Sequence, residues 1–310
     1  MKTKTGDRPQ FSARRKTVVC PRFFFAACLA CSTLAAARLV EEQTTVAAQV
    51  VDRYGKEVRR DLVVTIFRED TMPAPYPLLI LNHGRSGTAV ERGGMGRVRY
   101  LWQSRWLAEL GFLVAVPTRI GYGITGGDDV EYSGQCLSKD YAAGFAASTA
   151  ETVAVLEHLR SRKDAARDRA VVMGQSFGGT TAVTFAALNV AGVQAAINLA
   201  GGGGGDPKDR PGDPCDAPQL KKLFASYGKT ARIPTLWIYT ENDLYFGPKL
   251  PREWFEAFRA AGGQGEFELY PPHGENGHLL FSRGPELWQP RVLAFLRAHG
   301  YPDLREKPPR

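Results

Sequence analysis

Short apolar runs without polar alternation take turns along this chain with longer stretches whose apolar residues recur at helical spacing. The first pattern is expected of strands covered on both faces, the second of helices packed on one side. Two β-branched segments, residues 45–51 and 61–67, open the series; the intervening Asp52-Arg53-Tyr54-Gly55-Lys56 suits a hairpin. A Pro-rich segment, 72–77, breaks the chain and delivers it to Leu78-Leu79-Ile80-Leu81, followed at once by Asn82-His83-Gly84. From there the spacing predicts a helix over 100–110 stopped by Gly111, a strand over 112–116, a long helix over 139–160, a strand over 170–173 and a helix over 177–188. Strands over 193–199, 234–239 and 266–270 alternate with helices over 218–227 and 253–261. A last helix is expected to start near Pro290, a favourable first-turn residue, and to stop at Gly300-Tyr301-Pro302. Trp288, Val292, Phe295, Leu296 and His299 would share its inner face.

Alternation sustained from residue 78 to residue 299 predicts an α/β domain, one mostly parallel sheet with helices on both faces. The glycine-rich stretches 93–96 and 201–205 follow no phosphate-binding pattern and read as flexible loops. The polar stretch that continues from the second one to Pro218 is too short for a large cap.

Of the 310 residues, 44% are hydrophobic, ample for a core, and the formal net charge is +8. Location changes what that charge means. Lys2, Lys4, Arg8, Arg14, Arg15, Lys16 and Arg22 face Asp7 alone within residues 1–37, so the remainder is nearly neutral. A nucleic-acid partner, which needs a basic face on the folded domain, is therefore not expected. The leader has the layout of a secretory signal peptide: a basic start, an apolar stretch over 23–37, and Ala-x-Ala at Ala35 to Ala37. That stretch is shorter than the roughly 20 residues of a spanning helix. An uncleaved anchor, a twin-arginine signal at Arg14-Arg15 and lipidation at Cys28 or Cys31 are the alternatives. The expectation is a leader over 1–37, one domain over 38–304 and a disordered tail over 305–310. The protein would be exported, to the periplasm or beyond the cell, with no stable membrane span once the leader is removed. Cys136 and Cys215 remain after the leader, an even pair, and are predicted to form a disulfide.

Candidate chemistry centres on Gly174-Gln175-Ser176-Phe177-Gly178, a G-x-S-x-G placed between a predicted strand and a predicted helix. Small residues two positions either side of Ser176 let a strained turn push its hydroxyl out at the carboxyl edge of the sheet, where open parallel sheets bind ligands. A serine needs a base, and His273 and His278 both follow the last strand. His278 is preferred, because Leu279-Leu280-Phe281 behind it would anchor its loop; His273 is second. The base needs a carboxylate, and Asp243 lies in the loop after the penultimate strand, with Glu241 ranked behind it. Amide donors for an oxyanion are expected from Phe177, just after the nucleophile, and from Arg85 in the His83-Gly84-Arg85 turn. His83 itself is given only a local hydrogen bond that holds the turn. Trp102, Tyr122, Tyr132, Leu244, Tyr245 and Phe246 would give the mouth of the site an apolar, aromatic lining. No H-E-x-x-H is present and no cysteines lie near His273 and His278, so no metal site is expected.

Asn82-His83-Gly84, residues 174–178, Asp243 and Gly277-His278 together resemble an α/β-hydrolase, and the branch they are most similar to is the dienelactone hydrolase family. The resemblance covers residues 60–299. It implies an eight-stranded sheet, ester-type hydrolysis of a small-molecule substrate and no cofactor. Dienelactone hydrolases use a cysteine nucleophile and are usually cytosolic, whereas this chain has Ser176. The resulting expectation is an exported serine carboxylesterase that works through an acyl-enzyme. A serine peptidase or amidase on the same scaffold, and a non-catalytic membrane-tethered binding protein, are the alternatives.

Overall fold

A computed structural model describes Gln10 and residues 38–304. The expected leader and the expected disordered tail lie outside the described residues. Strands β1 (Leu39–Val51), β2 (Glu57–Glu69) and β3 (Tyr76–Asn82) come first, then helices α1 (Ala89–Gly94) and α2 (Leu101–Glu109). Strand β4 (Leu113–Thr118), α3 (Tyr141–Arg160), β5 (Ala165–Gln175), α4 (Phe177–Ala186) and β6 (Val193–Leu199) continue the alternation. It ends with α5 (Ala217–Thr230), β7 (Thr235–Thr240), α6 (Lys249–Ala260), β8 (Gly265–Tyr270), a 3-10 turn at Gly277–Leu279, α7 (Leu280–Arg283) and α8 (Pro285–Ala298).

The eight strands form one sheet in the order β1-β2-β4-β3-β5-β6-β7-β8. The expected hairpin is there, Val51 opposite Glu57, and β2 runs antiparallel to β4. From β4 to β8 all pairings are parallel. Winding reverses at β3, which lies between β4 and β5, so the loops after β3 and β5 diverge there and leave the crevice in which such sheets bind ligands.

The unbroken apolar runs follow from this layering. Leu79 and Leu81 of β3 face one side, with Trp106 and Leu107 of α2 and Trp288, Val292 and Phe295 of α8. Leu78 and Ile80 face the other, with Val155, Leu156 and Leu159 of α3 and Phe185 of α4. Each side chain that enters such a core contributes about 1.5–3 kcal/mol. A third cluster joins Trp237 and Tyr239 of β7 to Phe224 of α5 and to Trp254 and Phe258 of α6. Cys136, in the loop before α3, is disulfide-bonded to Cys215, in the loop before α5.

Three local expectations are corrected. The last helix begins at Pro285 behind Gly284, and Pro290 lies inside it. Pro285 supplies the same first-turn signal about one and a half turns earlier, and Trp288, buried against Trp106 of α2 and Phe281 of α7, holds the added turn in place. His299 does not join the inner face: it is partly exposed beside Glu266, and Leu293 is buried in that stripe. Part of the glycine-rich stretch 93–96 is helical, because Thr88 and Glu91 close a capping box that starts α1.

Candidate active site

Ser176 ends the approach from β5 and starts α4 with φ 56° and ψ −123°, a conformation non-glycine residues rarely hold. The flanking glycines make it possible. A Cβ on Gly174 would lie 2.1 Å from the Gly178 carbonyl oxygen, and one on Gly178 would lie 2.3 Å from that of Asn82. The elbow is thus pressed between its own helix and β3, and the hydroxyl emerges above the sheet.

His278 sits on the 3-10 turn after β8, and Asp243 in the loop after β7. Asn276 stitches these loops together: its Oδ1 accepts from the N–H of His278 at 3.1 Å and from that of Leu244 at 3.1 Å. The Asn242 carbonyl adds a bond from the Gly277 N–H at 3.1 Å. The Asp243 carboxylate is buried. Its Oδ1 accepts from the amides of Tyr245 at 2.7 Å and Phe246 at 3.1 Å, and its Oδ2 stands 2.9 Å from His278 Nδ1. A carboxylate facing Nδ1 fixes the proton on that nitrogen, so the free lone pair of Nε2 points along the 3.0 Å contact to Ser176 Oγ. Tyr245 stacks on the imidazole at 4.0 Å and Phe246 meets it edge-on at 5.3 Å, leaving the ring little room to turn.

Ser176, His278 and Asp243 are therefore brought together in one hydrogen-bonded line. His273 and Glu241 are not part of it. The His273 ring lies against the backbone of Gly284, and Glu241 is exposed. Phe177 opens α4, where first-turn amides have no partner within the helix. The turn that carries Arg85 passes close over the elbow, since a Cβ on Gly84 would lie 3.2 Å from Ser176 Cβ. The Arg85 side chain turns away and makes a two-pronged bond to Asp129, 2.7 Å on each arm.

A cavity of about 770 Å³ opens in front of Ser176. Its lining differs from the expected apolar, aromatic mouth. Tyr132, Tyr245 and Phe246 do line it, but so do Arg85, Arg92, Lys139, Lys208 and Arg210 with Glu91, Asp129, Asp206 and Asp209. Trp102 is 72% exposed and Tyr122 is fully buried, and neither these two nor Leu244 lines the cavity wall. Burial, reinforced by Arg85, Arg210 and Arg53, lowers the Lys139 pKa.

Beneath the Arg85 turn lies a buried polar cluster that the residue pattern did not disclose. Arg119, Glu131, Tyr122, Glu151 and His83 are all fully buried. Arg119 Nε donates to Glu131 at 2.5 Å, and Tyr122 donates to the same carboxylate at 2.5 Å. The expected local bond of His83 is present: its Nε2 accepts from the Arg119 N–H at 3.2 Å, so Nδ1 carries the proton and donates to the Gly84 carbonyl at 2.7 Å. Burial, with Arg119 adding to it, holds the His83 pKa well below the ordinary imidazole range, so the ring stays neutral.

A model of the dienelactone hydrolase family matches residues 94–286. No curated protein matches the chain by sequence. Among solved structures, an acetyl xylan esterase from Paenibacillus sp. R4 is 17% identical with a TM-score of 0.56, over 85% of this chain and 88% of that one. A dienelactone hydrolase-like promiscuous phosphotriesterase from metagenomic libraries is 14% identical with a TM-score of 0.54, over 84% of this chain and 99% of that one. An acylaminoacyl peptidase from Pyrococcus horikoshii is 15% identical with a TM-score of 0.56, over 87% of this chain but 43% of that one. These likenesses show the α/β-hydrolase fold, and with a family match spanning more than half its length the chain belongs to the dienelactone hydrolase family, a family of hydrolases.

Proposed function

We propose that the protein is a serine carboxylesterase in which Ser176, His278 and Asp243 form the catalytic triad. The observation that carries this reading is the unbroken line from Asp243 Oδ2 through His278 to Ser176 Oγ, with contacts of 2.9 and 3.0 Å. His278 Nε2 takes the hydroxyl proton as Oγ attacks the ester carbonyl. The oxyanion is met by the N–H groups of Phe177 and Arg85, and the amino end of α4 favours its charge. Asp243 stabilises the imidazolium, which then protonates the leaving alcohol. Water, activated by the same imidazole, releases the acyl group. No metal ion or cofactor enters this scheme.

Ser176→Ala is expected to lower kcat on a short p-nitrophenyl ester on the order of 10⁶-fold and to abolish fluorophosphonate labelling. Near-normal turnover by that variant refutes the assignment. A fold shared with an acylaminoacyl peptidase supports an amidase as the second reading. Matched ester and anilide substrates separate the two. We further read the protein as exported: the basic and apolar leader and the Cys136–Cys215 disulfide fit an oxidising compartment. Among the described residues no helix is long and apolar enough to cross a membrane.

A further inference from the structure

Resting on the esterase reading, we propose that Arg119 is a positioning residue that aims the Arg85 N–H at the oxyanion. Its fully buried guanidinium leaves the end of β4 and spreads across the turn after β3. Nη1 donates to the His83 carbonyl at 2.6 Å and Nη2 reaches the Gly84 carbonyl at 3.4 Å. The Gly84 carbonyl also takes the His83 Nδ1 proton at 2.7 Å, from a ring whose Nε2 is held by the Arg119 backbone. Two successive peptide planes are thus gripped by one residue.

Peptide planarity turns this grip into aim. The Gly84 carbonyl and the Arg85 N–H belong to one rigid plane and point in opposite directions. Holding the carbonyl down on His83 and Arg119 faces the N–H the other way, and among the described residues that N–H makes no hydrogen bond. Gly84 lies against the elbow, where a Cβ would come within 3.2 Å of Ser176 Cβ. The guanidinium carbon also sits 5.6 Å from the centroid of the Phe177 ring, beside the residue that offers the other donor.

Energetics point the same way. A buried ion pair such as Arg119–Glu131 is weak evidence for stability, because desolvation offsets most of the attraction. Its geometry is what apolar side chains of equal volume would not supply. A flat guanidinium serves Glu131 and both carbonyls at once; a lysine ammonium has one donor centre.

Two variants test the proposal, Arg119→Met and Arg119→Lys, the second keeping a cation opposite Glu131 should the first fail to fold. With a short p-nitrophenyl ester, the folded variant is expected to lose about 10- to 100-fold in kcat with KM within about twofold. Affinity for an alkyl boronic acid, whose tetrahedral adduct places an oxygen where the oxyanion forms, should weaken by a similar factor. A role in stability alone would not move boronate affinity in step with kcat. Unchanged kcat and boronate affinity in a folded variant overturn the proposal, as does a rise confined to KM. Wild-type protein that escapes fluorophosphonate labelling at Ser176 would instead defeat the esterase reading itself.

Discussion

Glu151 shows how much one atom's surroundings decide. It sits on α3, fully buried; Oε1 accepts from the Ile120 N–H at 2.9 Å, while Oε2 has no hydrogen-bond partner. Burial, then the nearby Glu131, push its carboxyl up to about 8 against an ordinary 4.5, with Arg119 opposing. The folded state therefore keeps a proton that the unfolded chain releases. Its contribution is complete below pH 4.5 and is lost as pH rises through about 8. Glu151→Gln keeps the acceptor without the charge. Denaturant midpoints at pH 5 and pH 8 should show the wild type losing about 1–4 kcal/mol more than the variant across that range. An equal slope in both proteins contradicts the assignment. Residues at this scale were unevenly legible. Ser176, Asp243 and His278 stand at strand-end positions that the strand–helix pattern singles out, and the glycines around Ser176 and the apolar residues behind His278 brought the first and the last forward. Arg119, Glu131 and Glu151 carry no such mark. A charged residue in a sequence ordinarily means a solvated surface, and only the crossing of β4, α3 and the loop between them turns these three inward.

At the scale of elements, the elbow is a contact between backbones rather than side chains. α4 can approach β3 only because Gly178 has no Cβ; one would meet the carbonyl oxygens of Asn82 at 2.3 Å and of His83 at 2.6 Å. Neither is the end of a flexible side chain, so the helix itself must move. Gly178→Ala should cost about 2–4 kcal/mol in stability and carry Ser176 out of line with His278. Gly93→Ala in α1, where a Cβ meets nothing within 4 Å, is the control and should stay within about 0.5 kcal/mol. Thermal melts and ester turnover of the pair check both halves. The same scale explains which boundaries were readable. Continuous apolar runs gave the strands from β3 to β7, whose central residues are covered on both faces, whereas β8, at the sheet edge, alternates Glu266, Phe267, Glu268 and Leu269 and is only partly buried. The start of α8 was misplaced because two prolines, Pro285 and Pro290, send the same first-turn signal, and which of them caps the helix depends on Trp288 docking against Trp106 and Phe281.

Over the whole molecule, the triad and the cavity in front of it depend on supports that differ in part, joined where the Gly212 N–H donates to the Leu244 carbonyl at 2.8 Å. Asp243 and His278 come from loops knit to each other by Asn242 and Asn276. Much of the cavity wall comes from the loops before α3 and α5, completed by residues 85–92 and by Tyr245 and Phe246; those two loops carry little regular structure and are tied by the Cys136–Cys215 bond across 79 positions of sequence. Arg210 braces that bond, donating to Cys136 Sγ at 2.7 Å and Cys215 Sγ at 2.9 Å, and the Tyr141 hydroxyl bonds the Cys215 carbonyl. A cross-link spanning so long a segment restricts the unfolded chain and should stabilise the fold by about 2–5 kcal/mol. It also fixes these two loops against each other, while Ser176, Asp243 and His278 lie on other segments of the chain. Replacing both cysteines by serine should therefore lower the denaturant midpoint by that amount, and in the folded enzyme raise KM more than it lowers kcat. Thiol titration of the denatured, unreduced wild type should find Cys136 and Cys215 blocked. A double variant that keeps wild-type stability and KM would mean that the walls hold without the bond, through Arg210, Tyr141 and the packing of α3 on α4 alone.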